Sequence, residues 1–201
     1  MSTQFRSATE VLASPWKIDG VEIKNRYVVG PMAVLQPTSD GHPSDQTIAF
    51  LTRRAKGGAG LIIVGGTVAT EGGYLEAPFQ PILRFDQDKF IPELARMVGA
   101  VHAEGVPIFA QIFPSFGPMG VPGDGRVTKA ASPKAVRMAA PRLPEGLYIP
   151  GGRTNPTPTE ITKEEILEIQ RQTVAAVLRA REAGFDGVEL GAHMRYLYSS
   201  F

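Results

Sequence analysis

The sequence contains no cysteine, which excludes disulfides, thiolate zinc, iron–sulfur ligation and a cysteine nucleophile, and fits a cytoplasmic setting. Only three histidines are present, so a metal site is not expected. Charge of one sign is also missing: 21 basic residues face 20 acidic ones, for a net charge of +1. Such a chain has no overall electrostatic reason to seek nucleic acid or an anionic membrane. Long apolar runs are absent too. The longest, Leu61 to Val64 with a weak extension to Ala69, is far below the length that spans a bilayer. Met1 to Trp16 lacks a basic stretch followed by an apolar one, so export is not expected. The expected partners are small molecules, with a homo-oligomer as a further possibility.

What is present is enough for one core. The chain has 201 residues, 43% hydrophobic against 20% charged, the size and balance of an ordinary globular domain. Gly and Pro together make 39 of the 201 residues, from 22 and 17, so loops are abundant.

Three times a helical pattern ends at glycine and passes directly into an apolar stretch: Ala55 to Val64, Ala103 to Gln111 and Glu182 to Leu190. This is the αβ loop of a parallel sheet. A fourth strand is expected at Tyr27 to Gly30. The apolar runs imply strands buried on both faces, and the alternation implies parallel α/β architecture.

The three helices are expected from about Ser44 to Lys56, from Asp86 or Asp88 to Gly105, and from Thr162 to Gly184. The third opens on a capping box, Thr162 with Glu165, and carries Ile166, Ile169, Thr173, Ala176, Val177 and Ala180 on one stripe. Residues 16–23 alternate around Asp19-Gly20, the mark of a two-residue hairpin turn, expected to cover one end of the sheet. Residues 113–160 hold 9 Pro and 7 Gly among 48 residues, so a long loop with little regular structure is expected, of the kind that carries function. Four strands fit either a small open sheet or the first half of a (β/α)₈ barrel, which needs about 250 residues.

Ligands in parallel α/β folds gather at the C-terminal strand ends. Those ends are Pro31-Met32-Ala33, Gly65-Gly66-Thr67, Gln111-Ile112 and Gly191 to Tyr196. Gln111 brings an amide that both donates and accepts, suited to a flat heteroaromatic ring with mixed edges; a satisfied core amide is the alternative. The glycines are either bare backbone for a ligand or tight turns. His42 falls in a turn, and His102 on the second helix is expected to face solvent.

Six blocks in register carry a family resemblance: N-R-Y-V-V-G-P-M-A (Asn25 to Ala33), D-G-H-P (Asp40 to Pro43), R-A-K-G-G-A-G-L-I-I-V (Arg54 to Val64), V-H-A-E-G (Val101 to Gly105), P-I-F-A-Q (Pro107 to Gln111) and A-G-F-D-G-V-E-L (Ala183 to Leu190). With the closing Y-L-Y-S-S-F, the chain resembles the Old Yellow Enzyme family of FMN-dependent NAD(P)H:flavin oxidoreductases. The resemblance implies a (β/α)₈ TIM barrel, of which residues 1–201 form the N-terminal half: a capping hairpin and strands one to four. It implies FMN as cofactor and NAD(P)H as reductant. By position, Pro31, Met32 and Ala33 lie against the flavin ring, Gly66 offers backbone to it, and Gln111 bonds its pyrimidine edge.

The sequence also departs from the family. Ala33 stands where relatives carry a Thr or Cys that tunes the flavin. Relatives usually read E-[IL]-H-x-x-[HN]-G-Y-L after the fourth strand, with the His and His/Asn pair holding a substrate carbonyl and the Tyr delivering a proton. Here the stretch is E-L-G-A-H-M-R-Y-L, from Glu189 to Leu197. Tyr196 keeps the proton-donor place as catalytic acid, whereas Gly191 and Met194 replace the clamp. His193, one residue from the second clamp position, and Arg195, in place of the usual Gly, are candidate substrate contacts. Arg195 is suited to a carboxylate or a phosphate. Residues Pro114 to Gly117 replace the H-x-G-R that often follows the third strand. The expected function is hydride transfer from NAD(P)H through FMN to an activated alkene or related acceptor. A non-catalytic half-barrel that serves as an interaction module is the alternative.

Overall fold

The computed structural model describes residues 7–77, 80–123, 125–137 and 155–201. In chain order the elements are α1 (Ala8–Ala13), β1 (Trp16–Ile18), β2 (Val21–Ile23), β3 (Val28–Val29), α2 (Asp45–Lys56), β4 (Leu61–Val64), β5 (Thr67–Val68), α3 (Glu71–Leu75), β6 (Leu83–Arg84), α4 (Ile91–His102), β7 (Ile108–Ile112), β8 (Lys129–Ala130), β9 (Thr159–Glu160), α5 (Lys163–Glu182) and β10 (Gly187–Leu190). The main sheet has the order β10-β7-β4-β3, and all three pairings are parallel. Each strand therefore lies beside the next main strand in sequence, the arrangement of a barrel wall and not of a doubly wound sheet.

Alternation along the strands sorts their side chains. Ile62 and Val64 of β4, and Ile108, Ala110 and Ile112 of β7, join Leu51 and Ala55 of α2, Leu94, Met97, Val98 and Val101 of α4, and Ala176 and Ala180 of α5 in one buried cluster. That side is the layer between sheet and helices. The opposite face presents Ile63, Phe109 and Gln111, the inner face of the wall. At Gly187 a Cβ would stand 2.7 Å from the Phe109 ring, so glycine lets β10 close against β7.

Burial on both faces, expected for every strand, holds for β4 and β7 but fails at the two edges. Val28 of β3 is half-exposed, and Val188 and Leu190 of β10 are 38% and 55% exposed. Among the described residues those strands have a neighbour on one side only, and although α5 reaches β10 it leaves Val188 and Leu190 exposed.

The helix starts follow their caps. Ser44 caps α2, accepting from the Thr47 amide, and Thr162 with Glu165 forms a reciprocal capping box at α5. Helix α4 begins at Ile91 after a single 3₁₀ turn, Asp88–Phe90. Asp19 and Gly20 both have positive φ, 41° and 92°, as a two-residue type I′ hairpin requires. The hairpin still covers little, since Trp16 is half-exposed.

His102 is paired and not simply solvated: its Nε2 lies 2.8 Å from Asp186 Oδ2. The same Oδ2 accepts from the Ile108 amide at 2.8 Å, which ties α4 to the start of β7. Gly41, in the D-G-H-P turn, sits at φ +96°, and a Cβ there would meet Arg84 Cγ at 2.5 Å. Arg84 in turn grips Asp86 through Nε and Nη2 at 2.9 and 2.6 Å. In the described part of the long loop the regular elements are short: the parallel two-residue strands β8 and β9 and a 3₁₀ turn at Gly117–Met119. Its portion 138–154 lies outside the described residues.

Candidate active site

The ends of β3 and β4 are pressed together. A Cβ at Gly65 would lie 2.5 Å from the Met32 amide nitrogen and 2.7 Å from the Pro31 carbonyl carbon. At Gly66, where φ is +68°, it would lie 2.9 Å from Ala33 Cα and Cβ. Both positions need glycine: Gly65 for the contact, Gly66 for contact and conformation. The Thr67 hydroxyl donates to the Gln111 carbonyl, so the third strand end joins the other two. Pro31, Met32, Ala33, Gly66 and Gln111 thus come together at one rim of the wall.

Gln111 is buried, and its Nε2 donates to Glu189 Oε1 at 2.5 Å. Register sets this pair, since Glu189 lies opposite Gln111 across β7 and β10. The amide oxygen and second N–H of Gln111 have no hydrogen bond among the described residues, which leaves one acceptor and one donor at the strand end. Met32 is 60% exposed, an apolar side chain open to a flat partner. The crevice under Met32, Ala33 and Gly66 measures only about 20 Å³, room for a water and not for an organic ring. A ligand would therefore lie over these residues and not between them. Bare backbone, apolar surface and a mixed amide edge fit the ring system of FMN; among the described residues this rim carries no cationic cluster for its phosphate.

Beyond Gln111 the chain turns into an aromatic cluster. Tyr196 is 5% exposed and packs against Phe113, Phe116 and His193 at ring-centroid distances of 4.8, 4.9 and 5.1 Å. Burial pushes its phenol pKa up, so the hydroxyl keeps its proton at neutral pH. Of the substrate-clamp positions, Gly191 lies with its missing Cβ 3.2 Å from Phe113, and Met194 is turned to solvent at 61% exposure. Neither can hold a carbonyl oxygen. His193 does meet Tyr196. Arg195 does not join that group; it lines a separate cavity with Lys134, Ser132 and Ser199.

Sequence reading missed Glu76. It is buried under the turn that follows β7, where the Ser115 hydroxyl and the Phe116 and Gly117 amides face its carboxylate. Burial outweighs them and raises its pKa to about 7, while Oε2 has no partner among the described residues. Glu76, the second Glu of the stretch E-G-G-Y-L-E-A-P, carries no periodic signal that would mark it.

Comparison with known proteins follows this geometry. Residues 11–201 match the NADH:flavin oxidoreductase / NADH oxidase family. The chain belongs to that family. It is 38% identical over 191 residues to a metal reductase of Desulforamulus reducens, covering 95% of this chain and 26% of the relative. It is 35% identical over 196 residues to a cinnamate reductase of Clostridium sporogenes, covering 96% and 27%. Among solved structures, the old yellow enzyme homologue of Zymomonas mobilis superposes with a TM-score of 0.75 at 27% identity, over 92% of this chain and 49% of that one. The chain spans about half the length of that structure and about a quarter of the two reductases. The fold is that of the family's TIM barrel, of which the described sheet is one half.

Proposed function

We propose that the protein is an FMN-dependent oxidoreductase that passes hydride from NAD(P)H to an activated alkene or a related acceptor. Family membership supports the reaction class, and relatives named metal reductase and cinnamate reductase are consistent with electron delivery to varied acceptors. The observation that carries the reading is the rim where Gly66 meets Ala33 and Gln111 keeps a free amide edge.

In this reading Pro31, Met32 and Ala33 form the floor under the flavin ring, Gly66 brings backbone to its edge, and Gln111 pairs with its pyrimidine side. FMN, when bound, supplies the hydride chemistry. Ala33 offers no side-chain hydrogen bond, so tuning falls to backbone and to Gln111, which Glu189 orients. Tyr196 holds its proton through burial and delivers it to the acceptor carbon, with His193 against its ring. The acid contributes about 10² to 10⁴ in rate.

Tyr196→Phe tests this directly in anaerobic stopped flow. Reduction of the flavin by NAD(P)H needs no acid and should be nearly unchanged, while reoxidation by an alkene should slow within that range. Equal slowing of both steps would assign Tyr196 a packing role instead. The exposed outer face of β10 favours a second reading, an interaction module without catalysis, in which the purified protein would bind no flavin.

A further inference from the structure

Glu76 is a buried carboxyl that the mechanism above leaves unused. It is 8% exposed and closes α3, its amide donating to the Gly72 carbonyl at 3.0 Å while its own carbonyl accepts from the Val121 amide at 2.8 Å. The backbone is pinned on both sides, and the side chain enters the turn that follows β7. There the Ser115 hydroxyl and the Phe116 and Gly117 amides face the carboxylate. Three donors converging on one group favour its anion. Oε2 has no partner among the described residues, which leaves it as the oxygen that carries the proton when the group is neutral.

The same turn touches the acid. Phe116 packs edge-on against Tyr196 at 4.9 Å, the Ser115 carbonyl accepts from the Leu197 amide at 3.3 Å, and a Cβ at Gly117 would lie 2.9 Å from the Leu197 nitrogen. Residues 115–117 therefore hold Tyr196 through its ring and through the residue that follows it. Helix α3 braces the turn from its other end, where the Thr70 hydroxyl donates to the Pro114 carbonyl at 2.7 Å and Gly73 leaves no room for a Cβ against that carbonyl. A Cβ at Gly120 would stand 3.2 Å from Glu76 Cβ and 2.8 Å from Thr128 Cγ2, so the stem of the carboxyl is packed as well.

We infer that Glu76 is a positioning residue for Tyr196: its ionised carboxylate draws the 115–117 turn together, and the turn fixes the ring and backbone of the acid. The inference rests on the function proposed above and adds a residue to it. Hydrogen bonds to a carboxylate are about twice as strong as those to a neutral acceptor, so ionisation tightens the turn even though the buried charge costs the fold as a whole. Protonation turns one oxygen into a donor among donors, and the turn loosens. Among the described residues the charge that bears on Glu76 is that of Arg126, and His193 is the other ionisable group against the Tyr196 ring.

The test uses flavin-loaded protein from the complete reading frame, labelled with carbon-13 at tyrosine Cζ, the Tyr196 resonance being assigned with Tyr196→Phe. In the wild type that resonance should shift as pH passes about 7, where Glu76 ionises. Glu76→Gln is isosteric and does not titrate, so it should remove the shift. Ser115→Ala should move it to higher pH, because the lost hydroxyl no longer favours the anion. In anaerobic stopped flow, reoxidation by an alkene should rise through the same pH in the wild type and stay flat in Glu76→Gln. At pH 8 the variant should be about tenfold slower, short of the roughly hundredfold cost of a 1 Å misplacement, while flavin reduction by NAD(P)H is unchanged. A resonance shift that survives in Glu76→Gln belongs to His193 and overturns the inference. Equal slowing of both half-reactions also overturns it, as the mark of a packing defect. The resonance is read without turnover, so a shift abolished by Glu76→Gln alongside no slowing in Tyr196→Phe contradicts the proposed reaction and leaves the positioning standing.

Discussion

At the scale of single residues, Glu76 has the clearest consequence for stability. Its carboxyl titrates near pH 7 in the fold and near its ordinary 4.5 when unfolded. Between those values the folded state binds more protons than the unfolded one, so stability falls as pH rises from about 4.5 to about 7 and is flat above. The loss amounts to about 3 kcal/mol. Glu76→Gln should remove this slope, so that denaturant midpoints at pH 5 and pH 8 converge and the variant is the more stable at pH 8. A midpoint difference unchanged by the substitution would place the titration elsewhere. Sequence reading placed Gln111 and Gly66 correctly at strand ends because position in an αβ unit is a local property. The Gln111 partner, Glu189, follows from cross-strand register 78 residues away, which no local pattern contains.

At the scale of elements, legibility tracks length and period. Helix α5 was readable over its whole course, since its capping box and apolar stripe are both in the sequence. Thr162→Ala should therefore cost about 1 kcal/mol and lower the thermal midpoint, whereas Thr162→Ser should not; equal midpoints for all three would deny the cap its role. The short elements α1, α3, β5, β6, β8 and β9 went unread. A pair of two-residue strands has no alternation to detect, and its position is decided by tertiary contact, as where the Val68 carbonyl accepts from Phe85 at 3.0 Å. The α1 helix opens on a capping box, Ser7 with Glu10, a signal present in S-A-T-E but followed by only six helical residues, too few for a periodic stripe. Burial of β10 was overestimated because its apolar residues were read as covered, although the sheet continues on one side only.

At the scale of the molecule, the described sheet is a curved wall with two free edges, β3 and β10, and parallel strand edges recruit further strands. The alternation of elements alone fits this wall and a small open sheet equally; the family resemblance pointed to the half-barrel, and the strand order agrees with it. A polypeptide of residues 1–201 alone should associate in solution, most directly by pairing along Val28–Val29 or Gly187–Leu190. Light scattering would show oligomers; a monodisperse monomer with a cooperative melt would show that the edges are protected. The same wall carries the site, since three neighbouring strand ends meet only because β3, β4 and β7 are adjacent. The central claim, that this rim receives a flavin, is tested most directly by titrating FMN against the protein expressed from its complete reading frame, following flavin fluorescence in wild type and Gln111→Leu. The account predicts saturable quenching in the wild type and an affinity loss of about 5- to 150-fold in the variant, equivalent to about 1–3 kcal/mol for an unpaired polar edge. Quenching with equal affinity in both, or none in the wild type, would contradict it.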